Sequence, residues 1–224
     1  MSDLRLPSTA QRASLEERLR RYSANDRTSL LAYSASRGLA VDVADTYGWG
    51  IVPWSEPREE IRGRLAIPYL TPAGPLGFKF RCIDPLHGDH KNEESGRCPK
   101  YIGDPGFHPP LYNSGSLLED STIAFICEGE IDAVTVHSAT GFPAVGVPGV
   151  SQWKHTDNQF WPRCFSTFER VIVPADGDKP GHELAKTIAK DIDTTSVVYL
   201  PAGTDCNEYI RDHGVEAFLK LCDL

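Results

Sequence analysis

No stretch of this 224-residue chain approaches the ~18 consecutive apolar residues that a membrane-spanning helix needs. The opening residues, MSDLRLPSTAQRASLEERLRRY, also lack the apolar core of a secretory signal, so the expected location is the cytoplasm. A surplus of basic residues is missing too. The formal net charge of −8 excludes a protein coated in positive charge that grips nucleic acid wherever it meets it. There is no internal repeat, heptad array or low-complexity tract. The six cysteines, with no export signal before them, read as reduced thiols rather than a disulfide framework. Hydrophobic content of 40% and charged content of 24% exclude disorder throughout, and the length permits one domain or two small ones.

The charge is unevenly spread. Residues 1–40 hold seven Arg, no Lys and four acids, a net of +3, which leaves −11 for the remainder. A basic front and an acidic back suit a nucleic acid on one side and metal ions on the other. The texture changes in parallel. Helical spacing of Leu15, Leu19 and Tyr22 predicts a first helix, and Leu30, Leu31 and Ser34 to Leu39 a second that Gly38 interrupts or ends. RGRLAIPYL and LGFKFRCI read as strands of a hairpin turning at TPAGP, DPLHGDHKNEESGRC as a polar loop, and PKYIGDPGFHPPLYN as irregular structure. A composition shift places a domain boundary between residues 118 and 119, giving units 1–118 and 119–224. Beyond it, the apolar runs TIAFICEG, FPAVGVPG, RVIVPADGD and SVVYLPAG alternate with helical patterns. That rhythm predicts a doubly wound, mainly parallel α/β sheet, preceded by a smaller α+β subdomain.

In such a sheet, ligands bind beyond the carboxyl ends of the strands. Glu128 closes the first run, Asp176 and Asp178 close the third, and Asp205 follows the fourth, so the acids collect at one edge together with Asp132. Mg²⁺ takes oxygen ligands in octahedral geometry and keeps several waters, which a few carboxylates of this kind can supply. An isolated DGD is more often a turn and helix cap, with Gly177 and Pro180 shaping the bend. Its company at matching strand ends reverses that preference.

CEGEIDA, PADGDKPG and LPAGTDCNEY, in this order and spacing, resemble a Toprim domain of the bacterial and phage-type DNA primase family. The resemblance implies a catalytic Glu at 128, a DxD at Asp176 and Asp178, and further metal-side acids at Asp132 and Asp205, with Asn207 where an Asp is frequent. RGRLAIPYL, GPLGFKFR and PKYIGDPG resemble the segment that precedes Toprim in primases, and the match implies phosphate-contacting residues at Arg64, Arg81 and Lys100. The implied function is Mg²⁺- or Mn²⁺-dependent nucleotidyl transfer that makes short RNA primers. Its partners would be single-stranded DNA, nucleoside triphosphates and a separate replicative helicase, in a bacterial cell and encoded by a phage. The family's N-terminal zinc-binding and C-terminal helicase-related domains have no counterpart in these residues. The alternatives are a Toprim nuclease and a catalytically silent DNA- or replisome-binding protein.

Two further features carry competing readings. Cys82, His87, His90 and Cys98 supply four zinc-competent side chains within seventeen residues. Their C-x4-H-x2-H-x7-C spacing departs from common zinc patterns and favours a polar loop with free thiols. Trp153 and Trp161 could stack on bases, but the area a Trp buries favours packing against the sheet.

Overall fold

The computed structural model describes residues 6–87, 98–154 and 159–224. The chain divides into two compact units, Leu4–His108 and Pro109–Leu224.

In the first unit, α1 (Thr9–Ser23) starts in a capping box in which Gln11 N–H donates to Ser8 Oγ and Ser8 N–H to Gln11 Oε1. Leu15, Leu19 and Tyr22, three and four residues apart, lie on one face and pack on Phe78 and Phe80. α2 (Arg27–Ser36) begins at Asp26, whose carboxylate accepts from Ser29 N–H, and α3 (Val43–Thr46) follows. The antiparallel sheet has the order β1 (Gly50–Ile51), β2 (Leu65–Thr71), β3 (Gly74–Arg81), β4 (Tyr101–Gly103). The β2–β3 hairpin turns at Pro72 and Ala73, inside the stretch predicted to turn. β1 and β4 lie outside any predicted strand, and β4 interrupts a segment expected to be irregular. Arg18 on α1 clamps Asp104 in a two-pronged ion pair of 2.7 and 3.0 Å, while Asp104 also accepts from Phe78 N–H. This joins the helix to the residue just past β4.

The second unit is a parallel four-stranded sheet in the order β6 (Ala144–Gly146), β5 (Ile123–Cys127), β7 (Arg170–Ala175), β8 (Thr195–Tyr199). α4 (Glu130–Thr140) links β5 to β6, α5 (Lys179–Asp191) links β7 to β8, and α6 (Cys206–His213) and α7 (Val215–Leu221) close the chain. Ile126, Val145, Val171 and Val173 of the sheet pack with Leu184 and Ile188 of α5 and with both Trp153 and Trp161. Both tryptophans are buried, and Trp153 Nε1 donates to Asp191, so packing is their role. Residues 109–118, which the composition shift groups with the first half, pack here instead. Leu111 enters this core, and Tyr112 exchanges two backbone hydrogen bonds with Gly146. No helix among the described residues is long and apolar enough to cross a membrane.

Candidate active site

The order β6-β5-β7-β8 sends the chain one way from β5 through α4 to β6 and the other way to β7 and β8. The switch point therefore lies between β5 and β7, where a doubly wound sheet opens a crevice beyond its strand ends. Glu128 directly follows β5, and Asp176 directly follows β7. Pro174, within β7, has no N–H to give to a ladder. On the β8 side the ladder still runs on to Ala175 and Tyr199, while the β5 side is already finished at Ile172. The missing N–H of Pro174 thus falls where β5 no longer needs a donor.

Gly177 serves the DGD loop by what it leaves out. Its φ is not in the left-handed region, so the sharp bend expected of it is not its task. A Cβ at this position would lie 1.8 Å from the carbonyl oxygen of Pro201. Gly177 N–H donates to Thr204 O and Gly177 O accepts from Gly203 N–H, at 2.9 and 2.8 Å, which laces the DGD loop to the segment leading into Asp205. Gly181 similarly brings the first turn of α5 against Asp176, where a Cβ would meet the Asp176 backbone oxygen at 2.8 Å.

The carboxylates divide the work. Asp178 is exposed and caps α5, its Oδ1 accepting from Gly181 N–H at 2.8 Å, which leaves its second oxygen for another partner. Asp205 caps α6 by accepting from Glu208 N–H at 2.7 Å. Asp132, on the first turn of α4, is buried and accepts from the backbone N–H of Asn207 at 3.1 Å. Asn207, wholly buried, donates its side-chain amide to Thr135. It is therefore a strut between α6 and α4: its backbone fixes Asp132, and its side-chain amide ties α6 to Thr135. Nothing in the sequence singles out Thr135.

Asp176 is the electrostatic centre. Its Oδ1 is buried without a hydrogen-bond partner. Burial, followed by the charges of Asp132, Glu128, Asp205 and Asp178, pushes its carboxyl up to about 10. Carboxylates gathered in this way disfavour one another's ionisation unless a cation joins them. No three of them bring ligand oxygens within 4.8 Å of one another among the described residues. That suits a hard cation that keeps most of its waters and takes one or two carboxylates directly, as Mg²⁺ does, better than a protein cage. The orphaned Asp176 oxygen and the all-oxygen donor set fit such an ion.

The three basic residues matched by motif lie in the first unit and differ from one another. Lys100 is exposed. Arg81 is buried, donates to the Tyr101 hydroxyl, and stacks over the Tyr101 and Tyr33 rings at 5.1 and 5.7 Å. Arg64 is also buried, and donates to Glu60 O and Pro99 O, both at 2.8 Å, and to Cys98 Sγ at 3.0 Å. Three of its five guanidinium N–H groups are thus taken by protein acceptors. Cys82, His87 and Cys98 converge, with their ligand atoms all within 4.8 Å of one another, whereas His90 lies outside the described residues.

Residues 123–216 match the family model of the Toprim domain. The gene 57 protein of Mycobacterium phage D29 is 36% identical over 159 residues, covering 71% of this chain and 97% of that protein. The DNA primase of Geobacillus stearothermophilus is 29% identical over 224 residues, covering 84% of this chain but 36% of the primase, so the chain spans about a third of that relative. In fold, the chain is similar to the RNA polymerase domain of Mycobacterium tuberculosis primase DnaG in complex with a double-stranded DNA oligomer bearing a 6-nucleotide overhang. The TM-score is 0.71 at 19% identity, over 97% of this chain and 81% of that one.

Proposed function

The chain belongs to the Toprim-domain family of bacterial and phage-type DNA primases, and on that premise we propose that it is a primase core that builds short RNA primers on single-stranded DNA. The observation that carries this reading is the buried, orphaned carboxylate of Asp176 at the switch point of a parallel sheet, surrounded by four further acids. Asp176, Asp178 and Glu128 would hold Mg²⁺ or Mn²⁺, one or two of them directly and the rest through its waters, with Asp132 and Asp205 on its outer side. Such a cation lowers the pKa of an attacking hydroxyl and neutralises charge on departing pyrophosphate.

The chain's own residues supply position. Asp178 would offer its second oxygen to the site while its first anchors α5. Asn207 holds Asp132, and the laced backbone at Gly177 keeps Asp205 in register with the DGD loop. In the first unit, Lys100 and Arg81 would hold phosphates of template or nucleotide, Lys as a point charge and Arg as a fork. Arg64 braces the entry to β4, which carries Lys100 at its threshold.

Incorporation of labelled nucleoside triphosphates on single-stranded DNA with Mg²⁺ or Mn²⁺ tests the reading. The expected result is short, cation-dependent product from the parent chain and none from Asp176→Asn. End-labelled DNA cut without incorporation would establish a nuclease instead, and DNA binding without any turnover a silent binding protein.

A further inference from the structure

The acids of the second unit leave unexplained a separate group of soft ligands in the first. Cys82 is the residue after β3, and its backbone N–H donates to Lys100 O at 2.9 Å, extending the β3–β4 ladder by one bond. That bond brings Cys82 to the same sheet end as Cys98, so both ends of the intervening segment meet. His87, on a short 3₁₀ turn at Pro85–His87, points its Nδ1 at Cys82 Sγ across 3.2 Å.

We propose that Cys82, His87 and Cys98 bind a zinc ion, which clasps the base of the loop between β3 and β4. The ligand atoms lie within 4.8 Å of one another, and tetrahedral zinc with Zn–S of ~2.3 Å and Zn–N of ~2.0 Å requires edges of roughly 3.5–3.8 Å. The groups around the ligands are also those a zinc site uses. With Nδ1 turned to Cys82, His87 Nε2 lies on the side of the Asp84 carboxylate, 3.9 Å away, where a carboxylate partner of a ligating imidazole belongs. Arg64, buried, donates to Cys98 Sγ at 3.0 Å and so holds that sulfur in place. On binding, the two thiols release two protons, the imidazole contributes its neutral lone pair, and a fourth donor completes the tetrahedron. Arg64 then has two tasks: through Pro99 O it holds the strand entry, and through Cys98 Sγ it holds a metal ligand. The clasp is independent of the primase reading, since it involves none of the acids in the second unit.

The test is metal analysis of the full chain purified without chelators, together with cobalt substitution. About one zinc per chain and a tetrahedral cobalt spectrum with thiolate charge-transfer bands are expected. Zinc content should fall at least about tenfold in Cys82→Ser and Cys98→Ser, and persist in Cys98→His, in Cys164→Ser at an exposed cysteine elsewhere, and in Asp176→Asn. A wild-type chain with no zinc and no thiolate-to-cobalt band would overturn the proposal whether or not the variants fold. So would a Cys82–Cys98 disulfide in protein isolated under non-reducing conditions, or zinc retained in both serine variants.

Discussion

Replacing Gly177 by alanine would drive a methyl group to 1.8 Å from the Pro201 carbonyl oxygen, a backbone atom with no rotamer by which to step aside. Overpacking of this kind costs ~1–3 kcal/mol, and more where backbone must move. Gly177→Ala is therefore expected to lower urea stability by at least that much and to impair cation-dependent synthesis. Parental values for both would show that the 201–204 segment yields freely. At Asp176 the consequence depends on pH. An unfolded chain loses this proton near the ordinary 3.8, while the folded, cation-free chain keeps it until about 10, so the folded state binds more protons between those values. The contribution to stability is complete below about 4 and is lost as pH rises through about 10. In chelator, melting temperature should fall with rising pH across the neutral range. Asp176→Asn should flatten that slope and melt higher under alkaline conditions, while synthesis falls at least about 100-fold. An unchanged slope in the Asn variant would remove Asp176 as its cause.

Among the elements, α5 shows how one side chain can satisfy two readings of the same motif. Asp178 is a helix cap, the ordinary fate of an Asp before Pro-Gly, and it keeps an oxygen to spare. The two roles separate by substitution. Asp178→Asn preserves an amide oxygen for Gly181 N–H and should leave urea stability within a few tenths of a kcal/mol, whereas Asp178→Ala should cost about 1 kcal/mol. Both should lose synthesis. Stability equal in the two variants would mean that the cap contributes nothing, and synthesis surviving in Asn would mean that the charge is not needed. The principal strands were legible because each is an apolar run that ends on an acid or a turn, as Ile123–Cys127 before Glu128 and Arg170–Ala175 before Asp176 show. β1 and β4 were not, because strands of two and three residues carry no periodicity of their own and exist only by pairing with β2 and β3.

For the molecule as a whole, the acidic balance of −8 sits beside a basic first stretch, so DNA affinity should come from a few placed cations rather than general attraction. Affinity for single-stranded DNA, followed by fluorescence anisotropy, should fall steeply with salt. Lys100→Ala and Arg81→Ala should each weaken it and reduce the salt slope by about one, whereas an unchanged slope would place the phosphates elsewhere. The convergence of Glu128, Asp176, Asp178 and Asp205 was readable because alternating strands and helices put every strand's carboxyl end on one edge, whatever the side chains do. The convergence of Cys82, His87 and Cys98 was not. Their spacing fits no common zinc pattern, and what unites them is the β3–β4 pairing, continued by the backbone bond from Cys82 to Lys100, that no local sequence rule forecasts. For the same reason the surroundings of Arg64 were not legible: its guanidinium reaches Glu60, Pro99 and Cys98, two of which come near only when β4 is in place.

The two backbone bonds that lace Gly177 to Gly203 and Thr204 also determine where this chain can change length. A loop whose main chain is committed to another loop cannot absorb an extra residue without breaking register on both sides. The exposed connections of the second unit are free of that restriction. Insertions between Leu200 and Asp205 should be excluded among working relatives even where every acid is retained, and a transplant of this site into another parallel sheet would have to carry both loops as a single piece.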